Sequence, residues 1–118
     1  MHAKLSTHVL DTYHGGPGSG IAWTLERQSA PGQWSTLATG QTNHDGRTDE
    51  PLLEGAALQT GVYRITFQIG HYFRRRGVDL PEPSFLEAVV VQVGLQAGEA
   101  YHVPLLTSPW NYSTYRGS

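Results

Sequence analysis

Short runs in which apolar and polar residues alternate, cut at close intervals by glycine and proline, dominate this chain. The clearest is 61–69, where Tyr63, Ile65, Phe67 and Ile69 face one way and Arg64, Thr66 and Gln68 the other. That period of two predicts a strand with one buried face. Ile21, Trp23 and Leu25 mark a second such face over 21–27, and 33–39 reads as its hairpin partner across Pro31-Gly32. Over 5–11, His8 shares a face with Ser6 and Leu10; over 100–107, His102 shares one with Pro104 and Leu106. Pro104 is awkward in a central strand, because it has no N–H to give the ladder. It requires a bulge, or a position whose N–H would face away from the ladder. Segment 85–93 is apolar on nearly both faces, which predicts a second cover such as another subunit. Residues 110–114 form a last strand-like run, and 71–76 is the one helix candidate, ended by Gly77. Several strands, a short helix and three more strands, separated by frequent turns, predict an all-β sandwich or barrel.

The 118 residues suit one domain, 1–118, with a substantial core. Charged residues make up only 15%, which hints that some surface is covered by a neighbour. The net charge of −2 supplies no basic field for nucleic acid, and Arg74-Arg75-Arg76 is too short to create one; that run predicts the solvated side of the short helix. There is no cysteine, which removes disulfides, thiol nucleophiles and Cys-type zinc sites. No stretch approaches the roughly 20 apolar residues of a membrane helix. Met1 to Leu5 lacks a secretory core, so the expected location is cytoplasmic, with no membrane partner.

Candidate chemistry rests on histidine. Of six, His8 and His102 fall inside predicted strands and on leucine-bearing faces. Each is either a hydrogen-bonded structural imidazole or half of a shared acid–base site. Arg47 follows the turn dipeptide Asp45-Gly46 and is either a solvated loop residue or a clamp for a carbonyl or anion. No His-x-Glu-x-His or His-Glu-x-x-His spacing occurs, so neither a metal nor any other cofactor is expected. The glycine-rich 15–20 lacks the Gly-Lys-Ser/Thr of a phosphate loop, and no Gly-x-Ser-x-Gly elbow is present. The ending Tyr115-Arg116-Gly117-Ser118 follows the last strand without a spacer, which reads as held rather than trailing.

Dispersed segments resemble one family. Thr7-His8-Val9-Leu10-Asp11-Thr12 with Gly16-Pro17, then Gly61-Val62-Tyr63, Phe85-Leu86-Glu87, Tyr101 to Leu106 and the ending Tyr115-Arg116-Gly117-Ser118 are similar, in the same order, to the transthyretin-like 5-hydroxyisourate hydrolases. The hormone-carrying branch of that superfamily has lysine in place of His8, threonine in place of His102, and a different ending. The chain sides with the hydrolases at each of these positions.

The resemblance implies a transthyretin-like two-sheet β-sandwich with one short helix between two strands. It implies a homotetramer, a dimer of dimers whose central channel holds the active sites. The small-molecule substrate it implies is 5-hydroxyisourate, whose ring opens by attack of water. His8 and His102 would share the base and acid roles, in an order left open here, and Arg47 would orient the substrate. Ser118 would contribute its hydroxyl, or a terminal carboxylate, to the catalytic set. Tyr115 would shape the pocket, and Arg116 would bind substrate or pin the tail. Two other classes remain at this point: a carrier that holds an aromatic small molecule without turnover, and a structural sandwich that acts through protein contacts.

Overall fold

The computed structural model describes residues 2–117. Among these residues nine strands form two sheets. They are β1 (Lys4–Asp11), β2 (Gly16–Pro17), β3 (Ala22–Ala30), β4 (Gln33–Gln41), β5 (Leu53–Glu54), β6 (Gly61–Gln68), β7 (Ala88–Leu95), β8 (Ala100–Thr107) and β9 (Tyr112–Thr114). A helix, α1 (Ile69–Arg75), leaves the end of β6 directly. One sheet has the order β4-β3-β6-β7; the other runs β2-β1-β8-β9, with β5 also paired to β1. The all-β sandwich expected from the alternation is the fold found.

The alternating residues build the core. Leu5, Val9, Val103 and Leu105 from one sheet meet Leu25, Tyr63, Ile65, Phe67, Val89 and Val91 from the other, all buried. Ile69 was expected on the strand but begins the helix instead. The turn starts there because Ile69, Tyr72 and Phe73 then share one buried helical face. The two-faced apolar run at 85–93 is also corrected. β7 starts only at Ala88, Phe85 and Leu86 lie ahead of it, and its outer face carries Ala88, Val90, Gln92 and Gly94. Of these, Val90 is the one large apolar side chain left exposed. The three arginines at the end of α1, of which Arg76 is the C-cap, are not simply solvated: Arg74 pairs with Glu87 at 2.7 Å, Arg75 donates to the Ser19 carbonyl, and Arg76 donates to the Tyr72 hydroxyl. The Arg74 guanidinium, helped by the Ser84 N–H, holds the Glu87 carboxyl down to about 2.

A buried carboxylate ties the helix to the end of β1. Asp11 accepts the Tyr72 hydroxyl at 2.7 Å, the His14 backbone N–H at 2.9 Å and His14 Nδ1–H at 2.6 Å. Burial pushes the Asp11 carboxyl up, but these hydrogen bonds outweigh it and hold the group below its ordinary value. Burial, with the same pairing to Asp11, pushes the Tyr72 hydroxyl up to about 12. A depressed carboxylate stabilises the fold above its unfolded pKa, and that contribution is lost as pH falls through the folded pKa. Asp11→Ala is therefore expected to cost about 2–4 kcal/mol at pH 7, since it strands the Tyr72 hydroxyl and two His14 donors. The gap between wild type and variant should begin to narrow below about pH 4, where the unfolded carboxyl takes up its proton, and shrink further as pH falls through the lower folded pKa. Urea denaturation of both proteins at pH 7 and pH 3 checks it.

Candidate active site

β1 alternates strictly, with Leu5, Thr7, Val9 and Asp11 buried and Lys4, Ser6, His8 and Leu10 turned outward. β8 lies beside it in parallel register, setting Ser6 opposite His102 and His8 opposite Pro104. Along the other edge of β1, β5 pairs with Lys4 and Leu5, and β2 pairs with Leu10 and Asp11. Between those two short strands the edge is closed by a single bridge, His8 to Arg47. Bridged residues point to the same face of a sheet. Arg47, His8, Ser6 and His102 thus emerge together on the outer face.

The loop that delivers Arg47 is fixed by backbone geometry. The Asn43 side-chain oxygen accepts the N–H groups of Asp45 at 2.9 Å and Arg47 at 3.1 Å, a local turn that suits asparagine. Gly46 then runs against β1, accepting the Val9 N–H at 2.8 Å. At φ +77 a side chain would be strained, and a Cβ would meet the Val9 carbonyl oxygen at 2.4 Å. Among the described residues the Arg47 guanidinium has no hydrogen-bond or salt-bridge partner.

The two imidazoles are held differently. His8 Nε2 lies 3.0 Å from the Asp45 carbonyl. A carbonyl only accepts, so Nε2 carries the proton and Nδ1 is the free nitrogen. His102 Nδ1 lies 2.8 Å from the Ser6 hydroxyl. Burial, followed by the charges of Arg47, His8 and Lys4, lowers the pKa of His102 from the usual imidazole value. The neutral ring is therefore the favoured form at neutral pH. A cavity of about 260 Å³ opens beside it, lined by Lys4, Ser6, Arg47, Ala100, Tyr101 and His102. Among the described residues its lining holds two cations and no carboxylate, a suitable setting for an anion or a polarised carbonyl.

The tail rejoins the sheet at His102. The antiparallel register of β8 with β9, Leu105 with Thr114 and Thr107 with Tyr112, continues to the isolated bridge between His102 and Gly117. Pro104 falls opposite Tyr115 in that register. The Pro104 carbonyl accepts the Thr114 hydroxyl at 2.7 Å, so the edge bearing its missing N–H faces the tail. The ladder is interrupted there and resumes where the Gly117 N–H donates to the His102 carbonyl at 2.6 Å. A Cβ on Gly117 would stand 2.9 Å from His102 Cδ2, so glycine lets the tail lie against the ring.

Tyr115 and Arg116 line a different, larger cavity of about 490 Å³ between the sheet edges, next to Val91, Leu95 and Glu99. The Arg116 guanidinium stacks 4.4 Å from the Tyr101 ring centroid and donates to Glu99 at 3.3 Å. These contacts tie it to the start of β8, and it is not among the residues that line the His102 cavity. Tyr101 borders both cavities. Ser118 lies outside the described residues. Among those described, no three His, Asp or Glu side chains cluster as metal ligands would, and no helix is long and apolar enough to cross a membrane. Sequence reasoning missed Ser6, Lys4 and Tyr101. Ser6 and Lys4 share the His8 face by simple alternation, but their meeting with His102 depends on pairing two strands nearly a hundred residues apart.

The profile described as HIUase/Transthyretin family matches residues 5–117. A 5-hydroxyisourate hydrolase of Pseudomonas aeruginosa is 53% identical over 116 residues, covering 98% of this chain and 91% of that protein. The Klebsiella pneumoniae 5-hydroxyisourate hydrolase structure superposes with a TM-score of 0.80 at 34% identity, covering 98% of this chain and 99% of that one. An (S)-allantoin synthase structure superposes with a TM-score of 0.92 at 38% identity; it covers 99% of this chain, which spans only 44% of that longer one.

Two glycines carry the geometry and can be tested apart. Gly46→Ala is expected to cost more than about 2 kcal/mol, from positive φ plus a clash with rigid backbone, and to show as a lowered melting temperature. Gly117→Ala should leave the melting temperature nearly unchanged while moving the His102 imidazole resonances in a two-dimensional NMR spectrum, because only the ring or the tail has to give way.

Proposed function

The chain belongs to the HIUase/Transthyretin family, and we propose that it is a cytoplasmic 5-hydroxyisourate hydrolase. The reading is carried by one observation: His102 and Arg47 line one cavity, and among the described residues the Arg47 guanidinium has no side-chain partner there. The 53% identity to a 5-hydroxyisourate hydrolase, over nearly the whole of both chains, supports it.

The chemistry follows from what each group can do. 5-Hydroxyisourate is an electron-poor ring amide, and its opening requires water to attack a carbonyl carbon. His102, neutral at working pH, takes the proton from that water through its free Nε2. As the new C–O bond forms, negative charge grows on the carbonyl oxygen. The guanidinium of Arg47 meets it with two donors. When the C–N bond breaks, the departing nitrogen needs a proton, which the imidazolium of His102 returns or which arrives by way of His8. His8 keeps its Nε2 proton on the Asp45 carbonyl and offers Nδ1 to the substrate or its water. Lys4 adds positive potential that draws an anionic substrate to the cavity. Ser118 remains part of the proposed catalytic set. Tyr115 is proposed as a pocket wall and Arg116 as a residue that holds the tail.

The working unit we propose is a homotetramer, a dimer of dimers. On one chain the face bearing His8 and His102 is an open sheet surface, and both imidazoles are only half-buried. A second copy across that face would exclude water and turn a shallow cavity into a channel. One domain spanning 1–118 is sufficient for this arrangement.

Fresh 5-hydroxyisourate, followed by its ultraviolet absorbance, tests the reading. The protein should accelerate decay well above the spontaneous rate; decay at the spontaneous rate would favour a carrier that binds without turnover. His102→Asn should lower kcat/KM on the order of 10²- to 10⁴-fold, the usual worth of a general base. The acid limb of the wild-type kcat/KM profile should fall below about pH 6.5, because activity is lost only when His102 is protonated and its pKa is depressed.

A further inference from the structure

The His102 ring is gripped on two edges. Ser6 Oγ meets Nδ1 at 2.8 Å on the β1 side, and on the tail side Gly117 comes near enough that a Cβ built on it would stand 2.9 Å from Cδ2. Those two ring atoms flank Cγ, so the distal edge, Cε1 and Nε2, is the part left free; no described residue hydrogen-bonds to Nε2. Turning the ring by half a revolution would exchange Nδ1 and Cδ2. It would offer Ser6 a carbon and bring a nitrogen against the Gly117 backbone. Among the described residues only the hydroxyl of Ser6 distinguishes the two orientations.

Ser6 has a second neighbour, the Tyr101 carbonyl at 3.5 Å. That contact is long, and a small rotation of the hydroxyl or a slight closing of β1 on β8 would shorten it. The carbonyl only accepts, so a relay runs in one direction: His102 Nδ1–H donates to Ser6 Oγ, and Ser6 O–H donates to Tyr101. In that arrangement Nε2 is a bare lone pair toward the cavity. When Nε2 gains a proton, the imidazolium keeps a partner for its Nδ1–H without any group moving.

We propose that Ser6 is the positioning residue of this site: it fixes which way the His102 ring faces and holds its Nδ1 proton, so that Nε2 is the proton acceptor. The inference rests on the hydrolase reading for its kinetic consequence, but the orientation and tautomer of the ring stand independently of it. The charged and titratable groups around His102 are Lys4 and His8 on β1, Arg47 on the adjoining loop, and the Glu99–Arg116 pair at the start of β8 and on the tail. Among the described residues, those near enough to act are Arg47, His8 and Lys4, which are cationic or become so on protonation and oppose an imidazolium. Ser6 is the neighbour that favours one.

The experiment compares wild type with Ser6→Ala and Ser6→Thr. Long-range proton–nitrogen NMR of the histidine rings, followed across pH, should show wild-type His102 protonated at Nδ1 when neutral. Ser6→Ala should shift the tautomer toward Nε2–H and lower the His102 titration midpoint further; Ser6→Thr, which retains the hydroxyl, should restore both. In 5-hydroxyisourate turnover, Ser6→Ala should lower kcat by on the order of 10- to 100-fold with little change in KM, as for other partners that orient a working imidazole. The acid limb of its kcat/KM profile should move down with the titration. An Ser6→Ala protein with wild-type tautomer and titration overturns the proposal, as does one with altered tautomer but unchanged kcat in an active enzyme. If wild type itself fails to turn the substrate over, the hydrolase reading falls, and the NMR comparison still decides the role of Ser6.

Discussion

The parallel pairing of β1 with β8 is the interaction on which everything else depends. It joins the first strand of the chain to the eighth over eight consecutive residues, Lys4 with Ala100 through Asp11 with Thr107. Buried alternation on both strands fixes the register, because a slip of one residue would turn Leu5, Val9, Val103 and Leu105 out of the core. The outward residues are then placed with the same certainty. Ser6 and His102 become opposite neighbours, and His8 lies one diagonal step away. The site is a by-product of a core that tolerates one register only.

The edges of that pair are finished in ways that serve the site. On the β1 side, two-residue strands cover the ends of the edge and leave a gap at His8, into which Gly46 and Arg47 fit. On the β8 side, Pro104 interrupts the ladder with the tail, and Gly117 closes it again at His102. Both approaches end in a glycine whose missing side chain permits a contact no other residue could make: Gly46 against the Val9 carbonyl, Gly117 against the His102 ring. Backbone sterics, more than side-chain attraction, set how close Arg47 and the tail come to the imidazoles.

Electrostatics then divides two histidines on one face into different groups. His8 gives its Nε2 proton to a carbonyl; His102 has a hydroxyl on Nδ1 and three cationic or titratable neighbours. Their hydrogen-bond partners differ, although both rings are half-buried. At the far end of β1, Asp11 serves a structural purpose with the same chemistry. Its hydrogen bonds from Tyr72 and His14 fasten the helix and the first loop to the sheet.

Much of the fold was legible in the sequence. Period-two alternation over 61–69, 21–27 and 5–11, with turn dipeptides between, marked strands, faces and the sandwich, because burial on one face of a sheet writes itself directly into residue order. The same alternation put Ser6, His8 and Leu10 on one face of β1 and His102 on one face of β8. Local rules failed where a distant surface decided. Ile69 turned helical to present its side chain with Tyr72 and Phe73, and the strand at 85–93 started late because Glu87 was taken by Arg74 and Ser84. The awkwardness of Pro104 was visible, but what it interrupted was not. The sequence by itself determined which residues are strands and which side chains share a face. Only the tertiary structure decided that Ser6 meets His102, that Arg47 closes the gap beside His8, and that Arg116 turns to Tyr101 and Glu99 instead. Those meetings depend on which strands become neighbours, a long-range choice made by the buried faces and invisible to any short window of the chain.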